Sequence, residues 1–348
     1  MAVRLKDIAQ ALGISTVTVS KVLRGEPDVG ERTRKLVLDQ MKARGYRPNM
    51  HARGLASGRS YAVGLIVPDL IHPFFGEFAT ALGSALRESG LALIVASSQE
   101  DPKTEQQEVQ TLLARGVDVM VVASCRPKNA RGVVFSDNRT PYLLVDRYFS
   151  SLDTSFVGSP DVEVGRIATG HLIQLGRTRI AHIGGHGMSP AVDRLRGYKQ
   201  ALAHAGLPVE SGYVLRLKHF EEAGDSAGYA AMQTLISRRP MPDAVFCYND
   251  LSALGAMSAA RKAGLRIPQD IAFVGCGNLR YAEYFQIPLT SIDHGVEQMG
   301  AAAAKLATGL ANDPASIPQR LFIEPKLIAR QSTVGPTRQP GRSKVHAQ

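Results

Sequence analysis

The sequence predicts an α/β protein whose core is two doubly wound parallel-sheet lobes, preceded by an all-α N-terminal module. Three observations carry this reading. From Tyr61 onward, short apolar runs alternate with helical patterns in two successive series. The first 46 residues hold three short amphipathic patterns and no strand-like run. A length of 348 residues with 44% hydrophobic content exceeds one ordinary core. The expected organisation is a helical headpiece over 1–46, a linker over 47–60, a core over 61–334 and a disordered basic tail over 335–348.

In the headpiece, Leu5, Ile8, Ala9 and Leu12 fall at helical spacing and end at Gly13. Ser15 is placed to cap a second helix that carries Val17, Val19, Val22 and Leu23. A third pattern starts near Gly30, runs through Leu36, Val37, Leu38 and Met41, and stops at Gly45 with Pro48 just beyond. Helix, tight glycine turn and helix form a helix-turn-helix, in which the first residues of the second helix meet base edges in the major groove. Such a module buries too little for a catalytic domain. Its charge agrees with a polyanion partner: residues 1–60 carry twelve Lys/Arg against five Asp/Glu, and 335–348 adds three basic residues and no acid. The stretch between is neutral, with 26 of each sign.

Residues 47–60, with Pro48, Gly54 and Gly58, read on their own as a linker. The strand-like runs that follow are AVGLIVP, LALIVAS, VDVMVVA, PYLLVDR and SFVGS, then RIAHIGG, YVLRL, AVFCYND and IAFVGCG. Ligands of open α/β sheets settle beyond the carboxyl ends of the strands, and two lobes facing one another make a cleft that closes on its ligand.

Several function classes are set aside. No apolar run approaches the roughly 18 to 20 residues needed to span a bilayer, and the start MAVRLKDIAQ has no signal-peptide character, which predicts a cytoplasmic protein. Cys125, Cys247 and Cys276 show no metal spacing and read as structural free thiols. The nine histidines form no HExxH, Gly184-Gly185-His186-Gly187 lacks the pattern of a phosphate cradle, and there is no GxSxG elbow. Neither an enzyme nor a metal or cofactor site is expected.

The stretch LKDIAQALGISTVTVSKVLRG, followed by ERTRKLVLDQMKARGYRPNMHARGLASGRS, resembles the headpiece and hinge of the lactose-repressor (LacI/GalR) family. The likeness continues through VGLIVPDLIHPFF, LLVDR, HLIQLGRTRIAHIGG, RLRGYKQAL, NDLSALGAM and LIARQST, in order along nearly the whole chain. It implies a transcriptional repressor that binds palindromic operator DNA as a homodimer and answers to a small, sugar-like effector held between periplasmic-binding-protein-like lobes. It also implies three crossings between lobes: lobe one over about 61–160 and 290–320, lobe two over about 161–289 and 321–334. An exported sugar-binding transport protein shares such a core, but the basic headpiece argues against it.

Family similarity puts base reading on Thr16, Val17 and Lys21, whose methyls suit thymine and whose ammonium suits guanine. For Val17 a second reading stays open, as a buried staple of the helix pair. Ser15, Thr18, Ser20 and Asn49 are cast as backbone or capping groups. The resemblance makes residues 49–55 a hinge helix in the minor groove, with Ala52 and Arg53 beside Leu55, the apolar wedge. Gly54 costs that helix about 1 kcal/mol relative to Ala, which fits ordering on DNA. Strand ends point to Asp69, Phe74, Phe75, Asp146, Arg194, Asn249 and Asp250 for the effector, a set that suits a polyol or sugar. Phe75 also reads as core, Asp250 as a helix cap and Asp146 as a partner of Arg147. The sequence departs from the family at Arg4 and Gly30, where capping Thr and Ser are usual. It departs again at Gly275-Cys276-Gly277-Asn278, usually Gly, an aromatic, Asp, Asp, so a hydroxyl acceptor is missing at Gly277.

Overall fold

The computed structural model describes residues 3–24, 26–46, 59–132, 135–136, 139–185, 187–217 and 224–335. The chain divides into two compact units, 1–60 and 61–348. In the first unit α1 (Leu5–Leu12), α2 (Thr16–Arg24) and α3 (Glu31–Ala43) enclose Ile8, Ala9, Val19, Val22, Val37 and Met41. The turn between α1 and α2 needs Gly13, at φ +65°, a left-handed conformation that side chains resist. Ser15 then accepts the Thr18 N–H at 3.0 Å and starts α2. At α1 the Arg4 side chain has no acceptor to offer, yet its backbone N–H still donates to Asp7 Oδ2 at 2.7 Å, keeping half of a capping box. Gly30 precedes α3 with no side chain to cap it.

The second unit holds two six-stranded sheets. The first orders its strands β11-β5-β4-β3-β1-β2 and comprises β1 (Ala62–Val67), β2 (Ala92–Ser97), β3 (Val119–Val122), β4 (Tyr142–Val145), β5 (Phe156–Gly158) and β11 (Arg320–Phe322). All its pairings are parallel, with Leu65 opposite Val121 and Val95. A central parallel strand is covered on both faces, which is why AVGLIV is apolar throughout. Val63, Leu65 and Val67 meet α4 (Pro73–Glu88) and α10 (Val296–Asn312), while Ala62 and Ile66 meet α5 (Pro102–Ala114).

The second sheet orders β12-β10-β9-β8-β6-β7: β6 (Ile180–Gly184), β7 (Val214–Arg216), β8 (Ala244–Cys247), β9 (Ala272–Cys276), β10 (Thr290–Asp293) and an antiparallel edge, β12 (Lys326–Ile328). On one face lie α6 (Asp161–Gln174) and α7 (Ser189–His204), on the other α8 (Gly224–Ile236) and α9 (Asp250–Lys262). The short α11 (Gln331–Val334) closes the chain, and Ser332 in it accepts the Thr290 N–H at 2.8 Å.

The crossing points differ from expectation. Residues 290–293 belong to the second sheet, so the chain returns to the first lobe only at His294 and Gly295. Residues 321 and 322 still belong to the first, where Leu321 pairs with Val157. The run TSID hides its strand because Thr290 and Ser291 are polar. Both are fully buried, and their hydroxyls bond Arg330 O and Asp250 Oδ1 at 2.9 and 2.6 Å. The edge strand β11 has three residues, too few for a periodic signal.

Candidate functional site

In the first unit, α2 opens with Thr16 and Val17 turned to solvent. Val17 is 60% exposed while Val19 and Val22 fill the core, so the staple reading of Val17 does not hold. Ser20 and Lys21 follow one turn later on the same face. Ser15 and Thr18 are occupied with the cap, their hydroxyls 2.9 Å apart. The Lys21 ammonium bonds Asp28 and lies 3.9 Å from Glu26 Oε2. Such a partly exposed pair contributes only about 0–1 kcal/mol, so a stronger acceptor displaces it at little cost. Asn49, Ala52, Arg53 and Leu55 lie outside the described residues.

In the second unit, the ends of β1, β4, β8, β9 and β10 converge on a narrow pocket with a cavity volume of about 30 Å³. Five of the seven expected effector residues line it: Phe74 and Phe75 at the start of α4, Asp146 after β4, Arg194 on α7 and Asn249 after β8. Phe75 is wall and core at once, 2% exposed and edge-on to Phe74. Asp146 lines the pocket and also stands 3.6 Å from Arg147 Nε. Asn249 is the cap of α9, its Oδ1 accepting the Ser252 N–H at 2.8 Å and Ser252 Oγ at 2.6 Å. That turns its Nδ2 toward His72 Nε2, 3.2 Å away across the cleft.

Two expected residues lie one layer behind. Asp69 accepts the Ile71 and His72 N–H groups at 2.8 and 3.1 Å and so shapes the loop that presents His72. Asp250 does not cap α9; its carboxylate accepts the Leu279 N–H and Ser291 Oγ at 2.8 and 2.6 Å, pinning the loop after β9. The structure adds His72, Tyr248, Cys276, Gly277 and His294 to the lining. All five sit at or just beyond strand ends, the signal that had found their neighbours. His294 stayed hidden with its strand.

Arg194 organises the pocket. Its Nε donates to Asp161 Oδ1 at 2.8 Å, Nη1 to Tyr248 O at 2.8 Å and Nη2 to His294 Nε2 at 3.2 Å. Three of five donors are thereby fixed, which holds the planar guanidinium in place on the pocket wall. Since His294 Nε2 accepts, Nδ1 carries the proton and donates to Ser159 Oγ at 2.9 Å. Burial and the neighbouring guanidinium push His294 well below the usual imidazole range, so it stays neutral. Burial pushes the Cys276 thiol up to about 12, which leaves it no nucleophile. The same burial raises Asp161, to about 7, against the opposing pull of Arg194. Apolar aromatic walls with a few fixed donors suit a ring-shaped polar molecule. Among the described residues no group of three His, Cys, Asp or Glu is placed to hold a metal ion, and no helix is long and apolar enough to cross a membrane.

Comparison with known proteins agrees with both halves of this description. Residues 4–49 match the model described as "Bacterial regulatory proteins, lacI family", and residues 169–333 match "Periplasmic binding protein-like domain". The HTH-type transcriptional regulator GalR of Escherichia coli (strain K12) is 32% identical over 335 residues, covering 96% of each chain. Among solved structures, a transcriptional regulator CelR-cellobiose complex is 30% identical with a TM-score of 0.72, covering 95% of this chain and 99% of that one. The lac repressor dimer bound to operator and the anti-inducer ONPF has a TM-score of 0.83 at 23% identity, covering 96% and 99%, a likeness of fold.

Proposed function

Since the chain belongs to the lacI family of bacterial regulatory proteins, DNA-binding transcriptional regulators rather than enzymes, we propose that it is a cytoplasmic repressor. In this reading a homodimer grips a palindromic operator, and a sugar or sugar derivative in the cleft switches that grip. The observation that carries the DNA half is α2, a capped helix in a basic unit that leaves Thr16 and Val17 exposed beside Lys21. Thr16, Val17 and Lys21 read bases in this proposal, and Ser15, Thr18, Ser20 and Asn49 position the helix. The hinge segment, with Ala52, Arg53 and Leu55, enters the minor groove at the centre of the site.

The effector half rests on the Arg194 constellation, with Phe74, Phe75, Asp146 and Asn249 as its nearest companions and Asp69 and Asp250 as supports. A similar protein was solved with cellobiose, which favours a saccharide. Gly277 supplies no carboxylate, so hydroxyl acceptance falls to Asp146 on the opposite wall. An exported transport protein is not favoured, because the similarity to transcriptional regulators runs the length of the chain and includes the headpiece.

Selection of bound duplexes from a random library by the full-length protein tests the DNA half: a palindrome with half-sites about one helical turn apart is expected. A library that emerges without enrichment, from protein shown to be folded, counts against it. Repeating the selection with Lys21→Ala should relax preference at one base pair in each half-site, a loss of about 1–3 kcal/mol of discrimination, with the rest of the site unchanged. Leu55→Ala should leave that preference intact and reduce operator bending in a gel-mobility assay; unaltered bending removes the wedge role.

A further inference from the structure

On one side of the cleft stands a polar contact that the effector pocket does not include. Asp193, on α7, is 2% exposed and accepts hydrogen bonds from two side chains of the other lobe. Lys128 Nζ, from the loop after β3, lies 2.8 and 2.9 Å from its two oxygens, and Tyr148 Oη, from the loop after β4, donates to Oδ2 at 2.5 Å. The ammonium also lies 4.7 Å from the Tyr148 ring centre. Two backbone donors of the same lobe cross alongside: Lys128 N–H to Gly187 O and Tyr148 N–H to Ser189 Oγ, each at 2.8 Å. Gly187 permits the approach, since it stands at φ +78° with room for no more than a tight contact against Pro127. Among the described residues Arg196 is a further cation, at 3.3 Å from Asp193 Oδ1, and it comes from α7 itself.

We propose that Asp193 is a latch that holds the two lobes closed, through Lys128 and Tyr148, and that it ties closure to the presentation of Arg194. The tie is mechanical. Asp193 and Arg194 are consecutive on one rigid helix, so opening the latch swings Arg194 away from Asp146 and His72 on the facing lobe. The Asn249–His72 contact also joins the two lobes, and both of its residues line the pocket. The latch is partly desolvated, with the Lys128 side chain 17% exposed, so neutralising the carboxylate leaves Lys128 without its counter-charge in the closed state, whereas the open state loses no more than the exposed pair with Arg196. The inference concerns the lobes alone, and its failure leaves the DNA-binding reading untouched.

Hydrogen exchange on the full-length protein, without DNA or effector, tests it. The amides of Lys128 and Tyr148 are protected only when the lobes meet, so their exchange reads the closed-to-open ratio. Asp193→Asn should accelerate exchange at those two amides by about tenfold or more, the loss of hydrogen bonds to a charged group, while strands β1 and β6 exchange as before. Unchanged exchange at Lys128 and Tyr148 overturns the latch, as does equal acceleration throughout the lobe. Tyr148→Phe removes a single hydroxyl and serves if the first variant does not fold: a rise of about threefold or more, confined to the two amides, supports the latch, and no rise overturns it.

Discussion

Replacing Arg194 with Ala is expected to abolish the response to effector and to destabilise the core by about 3–5 kcal/mol, the usual penalty for removing one partner of a buried ion pair. Operator binding without effector should survive, because the headpiece is a separate unit. Asp161 then has no counter-charge, and Tyr248 O loses a donor. The loss should also depend on pH. Burial already raises Asp161 from 3.8 to about 7, with Arg194 pulling the other way. Without the guanidinium the folded-state value climbs further, while the unfolded chain still releases its proton near the ordinary value. A folded state that holds a proton which the unfolded state has released loses stability as pH rises. Intact protein and variant therefore run parallel below about pH 7 and diverge above it, as the intact protein reaches its plateau and the variant continues to fall. Urea midpoints at pH 6 and pH 9 measure the divergence. Equal destabilisation at both would sink the assignment of Asp161 as the orphaned group, and Asp161→Asn in the same background should erase the pH-dependent part.

Gly197→Ala is expected to cost at least about 3 kcal/mol, more than most core substitutions, although it adds a single methyl group. The helices α6 and α7 touch backbone to backbone: a Cβ on Gly197 would stand 2.0 Å from Val162 O, and one on Gly165 would stand 2.1 Å from Arg194 O. No rotamer relieves a clash with a carbonyl, so the helices must part. The same close approach brings Asp161, at the start of α6, against Arg194 on α7, so the substitution should also damage the pocket. Gly170→Ala on α6 is the control. Nothing lies within 4 Å of the added methyl, and there the change should stabilise by up to about 1 kcal/mol. Urea denaturation of the two variants side by side checks both signs; similar midpoints would remove the argument from backbone contact.

The candidate site was partly legible in the linear chain. The strand-end rule located the walls built by Phe74, Asp146 and Asn249, which follow apolar runs that could be read directly, and by Arg194 on the helix after β6, but not the wall that β10 supplies through His294. It missed by two or three residues where the loop, and not the strand, aims the side chain. Asp69 and Asp250 carry the expected chemistry but spend it on the N–H groups of Ile71, His72 and Leu279, leaving the cleft to His72, Tyr248, Cys276 and His294. The loop that presents Asp146 does so with that residue at φ +59°, a conformation its residue type does not announce.

Local physics is enough for whatever depends on neighbours in sequence. The three headpiece helices, their glycine turn, the Ser15 cap and the buried parallel strands follow from periodicity, capping chemistry and apolar runs, all of which act over a few residues. The crossing points, the strand at 290–293, the partners of Arg194 and the contact between Asp193 and Lys128 follow from pairs distant in the chain, 33 residues apart for Asp161 and Arg194, 65 for Lys128 and Asp193 and 100 for Arg194 and His294. A polar strand such as TSID becomes a core strand only when Ser332 and Asp250 arrive to satisfy it. The hydrogen bonds that offset the burial of Thr290 and Ser291 exist in the folded molecule and nowhere in the order of its residues.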